Sequence, residues 1–127
     1  MLNQSSNKNS SIECLTICNS KLTISNSIIF GYHNEIIGNN NTVIGNNNII
    51  NGQYNLIDGS KNLIYGQNNT ITGNNNNIYS NNSRIYGNSN TVNGIKLFIR
   101  GNLNRIYSDL FKIMGNLNTI NGKKQEN

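Results

Sequence analysis

The residues of this chain that could ligate a metal or act in redox chemistry are few. Cys14 and Cys18 are its only cysteines, and His33 is its only histidine. The cysteines are four positions apart, a spacing that differs from the CxxC unit of zinc and redox sites. Together with one histidine they also fall short of the four ligands of a structural zinc ion. We therefore expect no metal and no other cofactor, and we interpret His33 as a solvent-exposed corner residue.

Acidic residues that could serve in catalysis are equally sparse. Glu13, Glu35, Asp58 and Asp109 lie in widely separated segments, so the sequence predicts no carboxylate pair of the kind that glycoside hydrolases use. It contains no GxSxG nucleophile motif and no phosphate-binding loop. Calcium-binding rolls need an Asp in every repeat, whereas only two Asp occur here. These observations predict a protein that is not an enzyme.

The composition argues against a helical bundle and against a membrane span. The chain of 127 residues has a net charge of +5 and contains 32 Asn and 20 Ile, but no Ala, Pro or Trp. Because the strongest helix former is missing and Glu is rare, the composition disfavours a helical bundle. No apolar run approaches the roughly 20 residues of a membrane span, and residues 1–10 lack an apolar signal segment. We expect a cytoplasmic or virion-associated protein without membrane insertion.

A seven-residue repeat runs through nearly the whole chain. All twelve glycines share one phase of this period, and Ser80 and Ser108 occupy the two slots that the glycines skip. A branched apolar residue precedes each slot by two positions, and Asn follows most slots by three, so the unit is N-x-I-x-G-x-x. A coiled coil needs two apolar positions per heptad and good helix formers, so the recurrent Gly and Asn exclude it.

The spacing within one unit predicts a short strand followed by a turn. Asn, Ile and Gly are two positions apart, so they share one face of a strand, which we expect to be the inner face. A lone heptad cannot bury its Ile, but stacked heptads can, which predicts an all-β parallel β-solenoid. Irregular residues recur after 14 positions, as Tyr65 and Tyr79 do. We therefore predict about 14 residues, or two heptads, per coil, with ladders of inward Asn side chains.

The repeat also predicts how the chain is divided. We expect a polar N-terminal segment or cap at residues 1–14, the solenoid at residues 15–122 and a charged tail at residues 123–127. Polar ends would protect the edge strands from pairing with other chains. A set of apolar residues near the C-terminus falls at expected corners and is interpreted as a cap, a subunit contact or a sheltered edge. These residues are Ile95, Leu97, Phe98, Leu103, Leu110, Phe111 and Leu117.

The heptad resembles a repeat of bacterial surface proteins, and residues 41–47, Asn-Thr-Val-Ile-Gly-Asn-Asn, show the likeness best. Over roughly residues 15–122 it is similar to the S-x-A-x-G-x-x repeat of trimeric autotransporter adhesin heads. The resemblance implies a left-handed parallel β-roll that trimerises through outward apolar side chains and has a structural or binding role. The Asn-rich heptads are also similar to repeat proteins of AT-rich protists and giant viruses.

Apolar residues in outward strand positions predict an interface. A solvated roll would prefer polar residues there, so we expect the chain to bind copies of itself. The expected self-association interface comprises Ile28, Phe30, Ile37, Ile44, Ile49, Leu56, Leu63 and Tyr65. The predicted function is therefore that of a structural, self-associating solenoid, and the sequence leaves dimer, trimer and filament open.

A binding face for a polyanion, a glycan or ice is the alternative function. Basic residues concentrate towards the C-terminus and are interleaved with Tyr86 and Tyr107, a combination that suits polyanions and nucleic acids. The candidate polyanion-binding residues are Arg84, Lys96, Arg100, Arg105 and Lys112. An ice-binding face is expected to show a Thr-x-Thr ladder, but only Thr70-Ile71-Thr72 has this pattern. The outward slot before Gly also holds mixed residue types, which argues against a regular lattice.

Overall fold

The chain forms a parallel β-solenoid, as a computed structural model of residues 3–5 and 12–122 shows. Every regular element in these residues is a strand, and all strand pairs are parallel, so the all-β solenoid predicted from the sequence is confirmed. No helix among them is long and apolar enough to span a membrane. The tail expected at residues 123–127 and most of the expected N-terminal segment lie outside the described residues.

Successive strands alternate between two sheets, so that each coil adds one strand to each sheet. Sheet A contains β1 (Asn3–Ser5), β3 (Lys21–Thr23), β5 (Glu35–Ile37), β7 (Ile49–Gln53), β9 (Leu63–Gln67), β11 (Asn77–Asn81), β13 (Thr91–Asn93), β15 (Arg105–Tyr107) and β17 (Thr119–Asn121). Sheet B contains β2 (Glu13–Cys18), β4 (Ser27–Tyr32), β6 (Thr42–Ile44), β8 (Leu56–Asp58), β10 (Thr70–Thr72), β12 (Arg84–Tyr86), β14 (Leu97–Arg100) and β16 (Phe111–Met114).

Apart from β1, whose Asn3 pairs with Lys21 of β3, neighbouring strands pair residues that are 14 positions apart in the sequence. In sheet A, Ile64 lies beside Ile78 and Tyr65 beside Tyr79. In sheet B, Ile71 lies beside Ile85 in the same way. The predicted period of two heptads per coil is therefore confirmed, and the solenoid grows by one strand spacing, about 4.8 Å, with every coil.

The third residue of each heptad fills a single core between the two sheets. From Leu22 to Ile106 these side chains are at most 3% exposed. Burying one such side chain contributes about 1.5–3 kcal/mol to the free energy of folding. The row is covered less well at its C-terminal end, where Ile113 is half-buried and Ile120 is 41% exposed. Ile120 was expected inside, but no further coil among the described residues covers it.

Glycine is required where consecutive coils approach each other most closely. At Gly66 an added Cβ would overlap the carbonyl oxygen of Gly52, one coil earlier, and the φ angle of Gly66 is +144°. An L-residue rarely adopts such a φ angle. The same overlap with the preceding coil occurs at every glycine of the described repeat. This steric constraint explains why the glycines keep one phase of the heptad.

The residue that precedes the inward Asn turns the chain at most corners through a left-handed conformation. Asn40 and Asn47 have φ angles of +58° and +57°, which Asn tolerates better than most residues. His33 and Tyr54 adopt the same conformation with φ +56°. His33 is exposed, and its ring centroid lies 5.5 Å from that of Tyr32. The interpretation of His33 as an exposed corner residue is confirmed.

Two members of the C-terminal apolar set lie in the core. Leu97 and Phe111 begin β14 and β16 and are only 2% and 4% exposed. They occupy the position that Asn holds in most other heptads, and that position points inward. The expectation of a corner is therefore wrong for these two residues, and also for Phe98, which lies at an outward position of β14. By contrast, Ile95, Leu103 and Leu117 are 47%, 57% and 78% exposed.

Candidate functional site

Buried Asn side chains hold consecutive coils together and keep both outer faces in register. Oδ1 of Asn62 accepts a hydrogen bond from the backbone N–H of Asn48 at 2.8 Å. Nδ2 of Asn62 donates to the carbonyl oxygen of Gly45 at 2.9 Å. The predicted inward Asn ladders are confirmed, but each amide bonds the backbone of the preceding coil. The same pair of bonds recurs at Asn34, Asn41, Asn48, Asn55, Asn69, Asn76, Asn90, Asn104 and Asn118.

The outer face of sheet A is uncharged over four consecutive strands. Between Glu35 on β5 and Arg105 on β15, the outward positions of β7, β9, β11 and β13 hold polar, aromatic and aliphatic side chains only. We call this surface the sheet A patch. Its residues are Ile49, Asn51, Leu63, Tyr65, Asn77, Tyr79, Thr91 and Asn93.

One column of sheet A has a restricted composition. The residues before the glycine slots, from β7 to β17, are only Asn and Tyr. The rings of Tyr65 and Tyr79 stack with centroids 5.3 Å apart and planes 13° apart. In strand order the column reads Asn51, Tyr65, Tyr79, Asn93, Tyr107 and Asn121.

On sheet B, charged side chains point outward from strands that lie opposite the sheet A patch. Asp58 lies on β8 and Arg84 on β12, and further cations follow on β14 and β16. Thr70 and Thr72, the one Thr-x-Thr pair of the chain, lie on β10 between Asp58 and Arg84. The Thr pair therefore has charged neighbours on sheet B, and it is not part of the sheet A patch.

The expected self-association interface is divided between the two outer faces. All eight of its residues are at least partly exposed, as outward positions require. Because both sheets bury their inner faces in one core, the two groups point away from each other. On sheet B lie Ile28, Phe30, Ile44 and Leu56. On sheet A lie Ile37, Ile49, Leu63 and Tyr65.

The candidate polyanion-binding residues are only partly brought together. Arg84, Arg100 and Lys112 lie on the neighbouring strands β12, β14 and β16 of sheet B. Lys96 lies at the adjoining corner and lines a groove together with Arg84. Arg105 is separated from them, because it lies on β15 of sheet A and faces the opposite way.

The two thiols and the ion pair found within residues 12–122 lie at separate places on the surface. Cys14 and Cys18 are exposed free thiols of β2. Glu35 forms an ion pair with Lys21, in which the Nζ–Oε1 distance is 3.0 Å and both side chains are about half exposed. Such an exposed pair contributes little to stability.

The two unlike faces of this 14-residue roll can be compared with known proteins. The family model described as the grass antifreeze beta roll matches residues 5–109. The chain belongs to the grass antifreeze beta-roll family. The match extends over most of both sheets. Searches of curated proteins and of solved structures gave no match.

Membership of the grass antifreeze beta-roll family corrects the resemblance drawn from the heptad. The fold expected from the adhesin-head repeat, a parallel solenoid with 14 residues per coil, is confirmed. The adhesin family itself finds no support in the comparisons, and neither do the repeat proteins of protists and giant viruses.

The restricted column of sheet A was missed because the outward slot before Gly was taken as one row. Alternate heptads of that row belong to opposite faces. When the row is sorted by the 14-residue period, the Asn and Tyr residues separate from Asp58 and Arg100. The Asn and Tyr column was therefore present in the sequence. It was not recognised because consecutive heptads, which belong to opposite faces, were read together.

Proposed function

We propose that this beta-roll protein is a non-enzymatic ice-binding module and that the sheet A patch is its ice-binding face. One observation carries the proposal. In a chain of the grass antifreeze beta-roll family, one face is uncharged over four strands and repeats a restricted set of residues. The other face has no comparable uncharged stretch, since Asp58 and Arg84 flank its Thr pair.

The spacing of the sheet A patch suits an ordered water layer. Outward neighbours lie about 4.8 Å apart across strands and about 6.7 Å apart along a strand. The amides of Asn51 and Asn77 and the hydroxyl of Thr91 can hydrogen-bond water, while Ile49 and Leu63 hold it weakly. The Asn ladders hold the strands in place before ice is bound. Binding to ice therefore orders few additional groups of the protein and costs little conformational entropy.

Charge makes sheet B the poorer candidate for an ice-binding face. Asp58, Arg84, Arg100 and Lys112 hold their hydration water strongly. Removing water from an unpaired charge is far more costly than removing it from an amide or a hydroxyl. A surface that must exchange its hydration layer for ice is therefore favoured on sheet A.

The face assignment can be tested by placing one lysine on each sheet. Asn77→Lys puts a charge at the centre of the sheet A patch, and Thr72→Lys puts one at an exposed position of sheet B. We expect wild-type protein to shape ice crystals and inhibit their recrystallisation, Asn77→Lys to lose most of this activity, and Thr72→Lys to keep it. Thermal hysteresis and recrystallisation assays measure the effect, and thermal unfolding checks that both variants fold.

Wild-type protein without any activity on ice would overturn the proposed function. Equal losses in the two variants, or a loss confined to Thr72→Lys, would overturn the assignment to sheet A while leaving ice binding in place.

Self-association through sheet B is a second candidate function. Ile28 and Phe30 of β4 lie beside β6, where Ile44 is in register with Phe30. Leu56 follows on β8 and is 43% exposed. We call these four residues the sheet B apolar patch. A contiguous group of exposed aliphatic and aromatic side chains supports binding to a second copy of the chain.

A further inference from the structure

The C-terminal half of sheet B presents cations and aromatic rings in alternation. Arg84 of β12 is in register with Phe98 of β14, which is in register with Lys112 of β16. In the next outward column, Tyr86 is in register with Arg100. Each aromatic ring therefore has cationic neighbours both along its strand and on the adjacent strand. We call these five residues the cation–aromatic patch.

The cationic groups of this patch are available to an external anion. Arg84, Arg100 and Lys112 are exposed. In the part of the chain that the structure describes, none of their side chains is hydrogen-bonded or ion-paired. Of the two acids on the same sheet, Asp58 lies on β8, two strands away from β12, and Glu13 lies at the far end of the sheet on β2. Asp109 lies at the corner before β16 and pairs with none of the three.

A groove extends the patch towards the corner that precedes β14. Arg84 and Phe98 line this groove together with Lys96, Thr70 and Tyr54. Lys96 is exposed at a left-handed corner with φ +56°, and Tyr54 is 61% exposed. The groove thus adds one more cation and one more aromatic ring beside the patch.

The two aromatic rings of the patch do not cover each other. The centroids of Tyr86 and Phe98 are 6.1 Å apart, and the ring planes are tilted by 55°. On sheet A, by contrast, Tyr65 and Tyr79 are nearly parallel and stack on each other. Neither Tyr86 nor Phe98 is therefore stacked on a neighbouring ring, whereas one face of Tyr65 and one face of Tyr79 are covered.

We propose that the cation–aromatic patch binds single-stranded nucleic acid. Cations that follow the phosphates, together with aromatic rings on which bases stack, are the two components of such binding surfaces. A duplex keeps its bases stacked inside, and a sulfated polysaccharide has no aromatic faces. Both would use the cations alone, whereas a single strand uses the cations and the rings.

This binding site is independent of the proposed ice-binding face. The cation–aromatic patch lies on sheet B and the sheet A patch on the opposite side of the core. Failure of either proposal would leave the other standing.

The cationic part of the proposal is tested by fluorescence anisotropy with labelled oligothymidylate and a DNA duplex of equal length. We expect full-length protein to bind the single strand more tightly than the duplex. The slope of log K against log salt should be about −0.7 per cation engaged, so Arg84→Gln should lower its magnitude by about 0.7. Arg105→Gln on sheet A is the matched control and should leave both affinity and slope unchanged.

The aromatic part is tested with Phe98→Leu and, as a second variant, Tyr86→Leu. Each should weaken oligothymidylate binding by about fivefold or more and leave the salt slope unchanged, because stacking involves no counterions. Binding of dextran sulfate should not change. Thermal unfolding checks the folding of both variants, since the two rings are half-buried.

Three results would overturn the proposal. They are equal affinity for single strand and duplex, equal weakening by Arg84→Gln and Arg105→Gln, or unchanged oligothymidylate binding in both aromatic variants.

Discussion

At the scale of single residues, the inward Asn makes two hydrogen bonds to the backbone with one buried side chain. The amide of Asn62 accepts a bond from the N–H of Asn48, donates one to the carbonyl oxygen of Gly45, and is itself 1% exposed. Buried backbone groups at a corner have no strand partner of their own, and leaving them unpaired is costly. The Asn side chain thus makes a tight corner possible inside a narrow core.

Replacing one ladder amide should therefore destabilise the fold more than replacing an outward one. For Asn62→Ala we expect the free energy of unfolding to fall by about 2 kcal/mol, because the buried N–H of Asn48 and the partly buried carbonyl oxygen of Gly45 lose their partners. Asn77→Ala on the outer face should change it by about 0.5 kcal/mol or less. Urea unfolding measures both, and equal losses would contradict the role assigned to the ladder.

The sequence predicted the inward direction of the Asn side chains but not their partners. Asn, Ile and Gly recur at one phase with a spacing of two, and this pattern suffices to place them on one strand face. Which backbone group an amide meets depends on the offset between coils at the corner. That offset appears only in the structure, where Asn62 reaches back to residues 48 and 45.

At the scale of one strand and its corner, the inward Asn depends on a Gly three positions earlier, although Gly94 is followed by Leu97 instead of Asn. An added Cβ at Gly31 would lie 2.7 Å from Nδ2 of Asn34, and one at Gly66 would lie 3.1 Å from Nδ2 of Asn69. A residue with a Cβ at the glycine position therefore leaves too little space for an Asn side chain three positions later. The sequence agrees at all four described slots that lack Gly. The pairs there are Ile17–Ser20, Ile24–Ser27, Ser80–Ser83 and Ser108–Phe111.

This dependence predicts coupling between substitutions at positions 80 and 83. Ser83→Asn alone should destabilise the protein or leave it unchanged, because the Cβ of Ser80 crowds the new amide. Ser80→Gly alone should lose the hydroxyl contacts that Ser80 makes with Ser83 and with Nδ2 of Asn69. We expect the double variant to be more stable than the sum of the single effects by about 1 kcal/mol. Urea unfolding of all four proteins completes the cycle, and simple additivity would contradict the dependence.

At the scale of the whole molecule, one core supports two outer faces of different character. Sheet A is uncharged from β7 to β13. Sheet B changes along its length, from the sheet B apolar patch on β4, β6 and β8 to the cation–aromatic patch on β12, β14 and β16. The sites proposed for ice, for a second copy and for single-stranded nucleic acid therefore lie on different parts of the surface.

The second candidate function predicts that aspartate on one face alone disrupts assembly. Ile44→Asp lies in the sheet B apolar patch, and Ile37→Asp is the matched change on sheet A. If copies associate through sheet B, wild-type protein elutes as a multiple of its 14.1 kDa mass, Ile44→Asp as a monomer, and Ile37→Asp as the wild type. Size-exclusion chromatography with light scattering distinguishes these states. A wild-type monomer at every concentration would contradict self-association.

The overall architecture was predicted from the sequence, whereas the character of each face was not, because the outward positions were not sorted by the 14-residue period. A heptad with one anchor and one glycine is enough to predict stacking, and recurrences such as Tyr65 and Tyr79 predict the coil length. Alternate heptads belong to opposite sheets, so the face on which an outward residue lies depends on which of the two heptads of a coil contains it. Ile37 and Ile44 occupy the same slot of consecutive heptads, yet they lie on opposite faces.

Because strands alternate between two sheets, changing the length of this chain by one heptad has a different effect from changing it by two. Adding or removing 14 residues changes the number of strands by one in each sheet and leaves every other side chain on its own face. Adding or removing seven keeps the core pattern of Asn, Ile and Gly intact but exchanges the faces of all residues that follow. A single heptad inserted before β12 would thus bring Arg84, Arg100 and Lys112 to the side of the Asn and Tyr column. If the two surfaces of such a repeat protein have different functions, its length can therefore vary only by whole coils of 14 residues.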